Sequence, residues 1–185
     1  MGGAWEYAVN LSAGRRTSES IGFDDGDEDF MHLRFGFGWE EPTDWFGTDT
    51  TLRAEFWGQY SPDRLPGIEE FYIGGREDER GYRFAEGQGD SGLSATFAVR
   101  RDMFPSTSSP KRISPFGFVD LGYVHNNAPG VGEVAEETFA SLGLGMDVES
   151  ASDYFVRSYV AAPITDGPST EAGDPAFYLS LTKTW

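Results

Sequence analysis

A chain of 185 residues with 38% hydrophobic residues, a mean hydropathy of -0.44 and no apolar run near twenty residues contains no membrane-spanning helix. Fourteen Lys and Arg against 31 Asp and Glu give a net charge of -17, which excludes nucleic acid as a partner because a phosphate backbone would be repelled. The absence of Cys and the presence of only two His leave few ways to build a metal or imidazole site, so no cofactor or metal is expected and an enzyme is disfavoured.

What remains is 15% aromatic residues with 24 Gly and 10 Pro, a mixture suited to short strands and tight turns. Period-two alternation then marks the strands in order. Trp5, Tyr7, Val9 and Leu11 share one face of the first, and Met31, Leu33, Phe35, Phe37 and Trp39 one face of the second. The third carries Leu52, Ala54, Phe56 and Tyr60 opposite Arg53, Glu55, Trp57 and Gln59; the fourth carries Leu93, Ala95, Phe97 and Val99 opposite Ser94, Thr96, Ala98 and Arg100. Val119, Leu121 and Tyr123 oppose Phe116, Phe118 and Asp120 in the fifth, and Ala140, Leu142, Leu144 and Met146 oppose Phe139, Ser141 and Asp147 in the sixth. The seventh sets Tyr154, Val156 and Val160 against Phe155, Arg157 and Tyr159, and the eighth sets Phe177, Leu179, Leu181 and Trp185 against Tyr178, Ser180 and Thr182.

Connectors alternate in length. Arg15 to Glu28, Ser61 to Asp90, Asn126 to Glu136 and Thr165 to Asp174 are long or rich in Gly and acid, whereas those near Glu41 to Thr50, Pro105 to Ser114 and Glu149 to Ser152 are mostly shorter. This asymmetry predicts an all-β, eight-stranded antiparallel up-and-down transmembrane β-barrel, residues 1–185 forming one outer-membrane domain with a long extracellular loop at 61–90. A soluble β-sandwich also alternates, but its outward face would be rich in Lys, Glu and Thr. Here the polar face mixes Gly and Ser with single charges of both signs, and Trp5, Trp39, Tyr60, Tyr154 and Trp185 lie near strand ends as an aromatic girdle would. An eight-stranded ring has room inside for side chains and little else, so a closed monomer in which strand one meets strand eight would have no pore. Inward glycines at Gly36, Gly38, Gly143 and Gly145 would relieve crowding.

Leu65-Pro66-Gly67-Ile68-Glu69-Glu70-Phe71-Tyr72-Ile73-Gly74-Gly75 followed by Glu79-Arg80-Gly81-Tyr82 resembles the long sixth extracellular loop of two-partner-secretion transporters of the haemolysin-activator type, whose pattern is close to L-P-G-x-E-x-F-x-x-G-G and then V-R-G-Y. Phe118-Val119-Asp120-Leu121-Gly122 is similar to the F-x-D-x-G strand motif shared with their barrel-assembly relatives. The terminal alternation through Tyr178, Leu181 and Trp185 looks like the signal read by the barrel-assembly machinery. The resemblance implies strands nine to sixteen of such a barrel, in the bacterial outer membrane, from a family that moves unfolded polypeptide. It also implies that Arg80 pairs with Asp120, with Gly74, Gly75, Gly81 and Tyr82 as loop-motif residues and Phe118 and Gly122 flanking the wall carboxylate. One departure is Ala98-Val99-Arg100 where the family carries an E-L-R-like triplet. The implied partners are outer-membrane lipid, the assembly machinery during insertion and, if the chain belongs to a larger transporter, a secreted polypeptide. A closed small barrel without a pore, half of a larger translocating barrel and an outer-membrane enzyme all stay open on these residues.

Two weaker constellations complete the reading. The acidic run Asp24 to Asp29 has alternate carboxylates suited to calcium, but lacks the glycine and distal glutamate of a calcium loop and reads as a solvated acidic loop. His32 on the polar face and His125 beside Asn126 have no accompanying nucleophile motif and read as structural.

Overall fold

A computed structural model describes residues 3–16, 28–45, 49–105 and 109–184. Its strands, in chain order, are β1 (Ala4–Arg16), β2 (Glu28–Thr43), β3 (Thr50–Tyr60), β4 (Phe71–Ile73), β5 (Gly87–Gly89), β6 (Ser91–Arg101), β7 (Arg112–His125), β8 (Glu136–Glu149), β9 (Tyr154–Pro163) and β10 (Ala176–Lys183). Eight of them form one antiparallel sheet in the order β1-β2-β3-β6-β7-β8-β9-β10, each consecutive pair joined as neighbours. The remaining two, β4 and β5, make a small ribbon inside the long loop, preceded by a single 3-10 turn at Gly67–Glu69. All-β architecture and the up-and-down path are therefore as the alternation predicted. Most of the acidic run at 24–29 lies outside the described residues, as does Trp185.

The register places every predicted apolar face on one side. Phe37 lies opposite Phe56, Phe56 opposite Ala95, and Leu121 opposite Ala140, so aromatic and aliphatic side chains run across the strands as a band. These side chains are open to the surroundings: Phe35, Phe37, Phe97, Val119, Leu121, Leu142 and Leu144 are all exposed, and so are Tyr7, Val9, Leu11, Phe177, Leu179 and Leu181. The opposite face holds most of what is buried, including Gln59, Ser94, Phe118, Asp120, Phe139, Ser141, Asp147 and Tyr159. A soluble protein would show the reverse. So large a contiguous apolar surface predicts that the chain folds only in detergent or lipid. A monodisperse monomer with native β circular dichroism in plain buffer would contradict it.

The expected ring does not close. Among the described residues β1 pairs with β2 and β10 with β9, and neither edge pairs with the other. Outward residues on these edges are exposed, Tyr7 at 73% and Leu179 at 66%. The inner face is crowded. Eight strands closed on themselves enclose only side chains, whereas here the wall carries backbone of the long loop and broad rings as well. Trp57 lies against Gly36, and the rings of Phe118 and Phe116 against Gly143 and Gly145. The sheet of the described residues is thus open at β1 and β10, with a crowded inner face.

Candidate functional site

The loop between β3 and β6 folds back onto the inner face and is fixed at three places. At its base, Gln59 Nε2 donates to the carbonyls of Glu69 (2.9 Å) and Asp90 (3.0 Å), and Arg34 Nη2 donates to the Glu69 carbonyl at 3.0 Å. The buried Asp90 carboxylate accepts the amides of Leu65 (2.6 Å) and Asn127 (2.7 Å), tying the loop start to the β7–β8 connector. His32 is buried beneath this base with neither ring nitrogen hydrogen-bonded, 3.7 Å from a Glu69 oxygen. His125 lies elsewhere, 3.9 Å from Glu136 at the end of β7, so the two histidines share no site.

The second place is Tyr82. Its ring is 1% exposed and meets Phe139 edge-on at 5.1 Å, in a cluster with Ile73 and Val124. Its hydroxyl lies 2.9 Å from the Ala140 carbonyl and 2.7 Å from that of Thr165, and it accepts the Ala140 amide at 3.2 Å. Nearby Glu86 reaches the β9–β10 connector, accepting the Ser169 amide (2.8 Å), the Thr170 hydroxyl (2.5 Å) and the Arg83 amide (2.7 Å). Burial works against ionisation of Glu86, but the Thr170 hydroxyl and the amides of Arg83, Ser169 and Thr170 outweigh it and hold the carboxyl below its ordinary range.

The third is the loop tip, where the structure brings Arg80 and Asp120 together. Arg80 donates from Nε to one Asp120 oxygen at 2.8 Å and from Nη2 to the other at 2.7 Å, and its own amide donates at 3.0 Å. Thr96 adds its hydroxyl at 2.8 Å. The carboxylate is fully buried and thus accepts four hydrogen bonds, the arrangement a charge needs when water is excluded. The guanidinium lies 3.4 Å above the Phe118 ring, with Tyr159 at 5.9 Å and Tyr178 stacked on Tyr159 at 4.6 Å. Phe118 of the strand motif therefore floors the arginine that Asp120 binds. The tip turns sharply there, Gly81 having a φ of +107° and Gly74 one of +100°. The Gly81 amide donates to the Tyr178 hydroxyl at 3.4 Å, placing that C-terminal residue under the loop, while Leu181 points outward. Gly75, also in the left-handed half of the map at +140°, lies against Phe84.

The other inward charges pair along the wall. Arg157 meets Asp147 through two hydrogen bonds of 2.8 Å, Arg100 lies 3.3 Å from Asp102, and Arg53 bonds Glu55. Ala98, where the family pattern has a glutamate, packs with the aromatic group around Phe118 instead.

One residue of the tip was not singled out from the sequence. Glu79 is fully buried at a φ of +37°, with neither carboxyl oxygen hydrogen-bonded. Its signal was present, since it stands where the V-R-G-Y pattern has valine.

This geometry has known counterparts. The family described as Haemolysin secretion/activation protein ShlB/FhaC/HecB matches residues 1–148. The chain belongs to this family. These are two-partner-secretion transporters of the outer membrane, not an enzyme family. Among solved structures, CdiB from Escherichia coli is similar over 96% of this chain and 33% of that one, at 17% identity and a TM-score of 0.72. CdiB from Acinetobacter baumannii is similar over 95% and 30% respectively, at 18% identity and a TM-score of 0.66. The chain thus spans about a third of the structures it matches. No match is found among curated proteins.

Proposed function

We propose that this family member supplies the part of the wall equivalent to strands nine to sixteen in a larger outer-membrane barrel that passes an unfolded partner polypeptide, with loop 61–90 seated inside it. The observation that carries the reading is the open sheet whose inner face holds that loop on the Arg80–Asp120 pair. Unpaired edges within hydrocarbon leave backbone groups unsatisfied at several kcal/mol each, and in this reading β1 and β10 are completed by further strands of the larger barrel. The mixed charges of Arg53, Glu55, Arg157 and Asp147 give a lumenal wall without one dominant sign, suited to an extended chain of varied composition. Residues 1–185 act as one transmembrane unit. The outward apolar band meets lipid, and Tyr178, Leu181 and Trp185 form the stretch presented to the assembly machinery. Catalysis has no part in this reading, and Gly74, Gly75, Gly81, Tyr82, Phe118 and Gly122 serve the loop's seat.

Planar-bilayer recording of the intact protein tests it. Step currents are expected, growing when Arg80→Ala loosens the loop. Protein that inserts fully but passes no current in either form would overturn the pore.

A further inference from the structure

The loop tip places a second carboxyl beside the paired one. Glu79 reaches over Gly122, two residues along the same face from Asp120; a Cβ at Gly122 would come within 2.9 Å of the Glu79 Cγ and Oε1, so this glycine of the strand motif opens the space that the glutamate fills. Ser94, opposite Gly122 in the register, and the Gly74 amide lie near the carboxyl without hydrogen-bond geometry. The Glu79 carbonyl accepts the Tyr82 amide at 3.2 Å, which holds the residue in the turn that aims Arg80 at Asp120. The charged groups facing Glu79 are Asp78 and Arg80 from the loop and Asp120 from β7, while β6 presents the hydroxyls of Ser94 and Thr96. Arg80 is already paired with Asp120 through Nε and Nη2. An ionised Glu79 would therefore be a buried charge with no donor in hydrogen-bond geometry, next to a carboxylate that has taken the local cation.

We propose that Glu79 makes the seat of the loop tip proton-dependent: the tip rests on the wall while the Glu79 carboxyl carries a proton and leaves the wall when that proton is lost. The inference stands on the seat alone and does not need transport.

Burial, with Asp78 and Asp120 adding to it and Ser94 and Gly74 opposing, pushes the seated carboxyl up to about 8 from an ordinary 4.5. Below the ordinary value both seated and released forms hold the proton and pH has no effect. Between the two values the released form has lost its proton and the seated form has kept it, so each rise in pH favours release; above the seated value the dependence ends. From pH 6 to pH 8 the release constant should rise on the order of 50-fold.

Spin labels at Phe84→Cys and Val131→Cys, two exposed loop positions in a chain without native cysteine, report the seat by their distance distribution in lipid vesicles. The measurement is made on the otherwise wild-type protein and in an Arg80→Lys background, where loss of the bidentate fork brings release into the measurable range. A second, longer population growing between pH 6 and pH 8.5, and absent at both pH values in Glu79→Gln, is expected. Identical distributions at both pH values in the Arg80→Lys background would overturn the proposal. So would an unchanged pH response in Glu79→Gln, which would move the effect to another group such as His32 at the loop base. Infrared spectra at pH 6.5 supply a readout independent of motion: a protonated-carboxyl band is expected in the wild type and missing in Glu79→Gln, and no difference between them would also overturn it.

Discussion

Arg80→Ala and Asp120→Ala should each destabilise the folded protein in detergent micelles by about 3–5 kcal/mol, and the double mutant should cost clearly less than their sum. The two single changes are not equivalent. Arg80→Ala leaves a carboxylate with no exposure, still holding only the Thr96 hydroxyl and a backbone amide. Asp120→Ala leaves a guanidinium that is 14% exposed and stacked on Phe118, and so can be partly hydrated. The arginine deletion is therefore expected to be the costlier. Asp120→Asn in the Arg80→Ala background should recover part of the loss, because a neutral amide does not carry the burial cost of the charge. Urea unfolding followed by tryptophan fluorescence measures all four, and additive effects would show that the pair does not act as a unit.

Gly81→Ala should release the loop tip. At a φ of +107° an L side chain is strained by roughly 1–3 kcal/mol, and the new Cβ would lie 3.1 Å from the Pro163 Cδ and 3.3 Å from its nitrogen. The strand backbone cannot yield there without disturbing β9, so the tip must lift, and Arg80 and Tyr82 on either side lose their partners together. Gly132→Ala is the control: its φ of +90° imposes comparable strain, yet nothing lies within 4 Å of the added carbon. Limited trypsin digestion of the protein in micelles separates the two, with faster cleavage after Arg80 and Arg83 expected for Gly81→Ala and not for Gly132→Ala. Equal cleavage in both would mean that strain alone, and not the approach to Pro163, sets the tip.

Glu79 and Glu86 show within one loop how much depends on neighbours that sequence distance conceals. Both are glutamates of the same segment, seven positions apart. Glu86 receives donors from Ser169 and Thr170, more than eighty residues on, and Glu79 meets Gly122, Asp120 and Asp78, with Ser94 and Gly74 nearby but outside hydrogen-bond geometry. Their opposite shifts follow from burial at Glu79, to which Asp78 and Asp120 add, and from the donors gathered at Glu86.

The sequence by itself determined the strands, their faces and their direction. Side chains in a strand alternate with period two, so an alternation long enough to cross a membrane fixes which residues point out whatever the partner strand is. That is why Phe37, Leu121 and Leu179 on one side and Asp120 and Tyr159 on the other are where the pattern put them. It also set the loop motif beside the strand motif through resemblance. Only the tertiary structure showed the sheet open at β1 and β10, because pairing between the two ends of a sheet leaves no mark in the alternation of either strand. It alone revealed the β4–β5 ribbon, since Gly87-Gln88-Gly89 has no apolar alternation and pairs only because Phe71–Ile73 is carried alongside it. And it alone placed Tyr178 beneath Gly81 and left both Glu79 carboxyl oxygens without a hydrogen bond. Those contacts join residues far apart in the chain across a folded-back loop, and a distance in space of that kind leaves no periodic trace in the order of the residues.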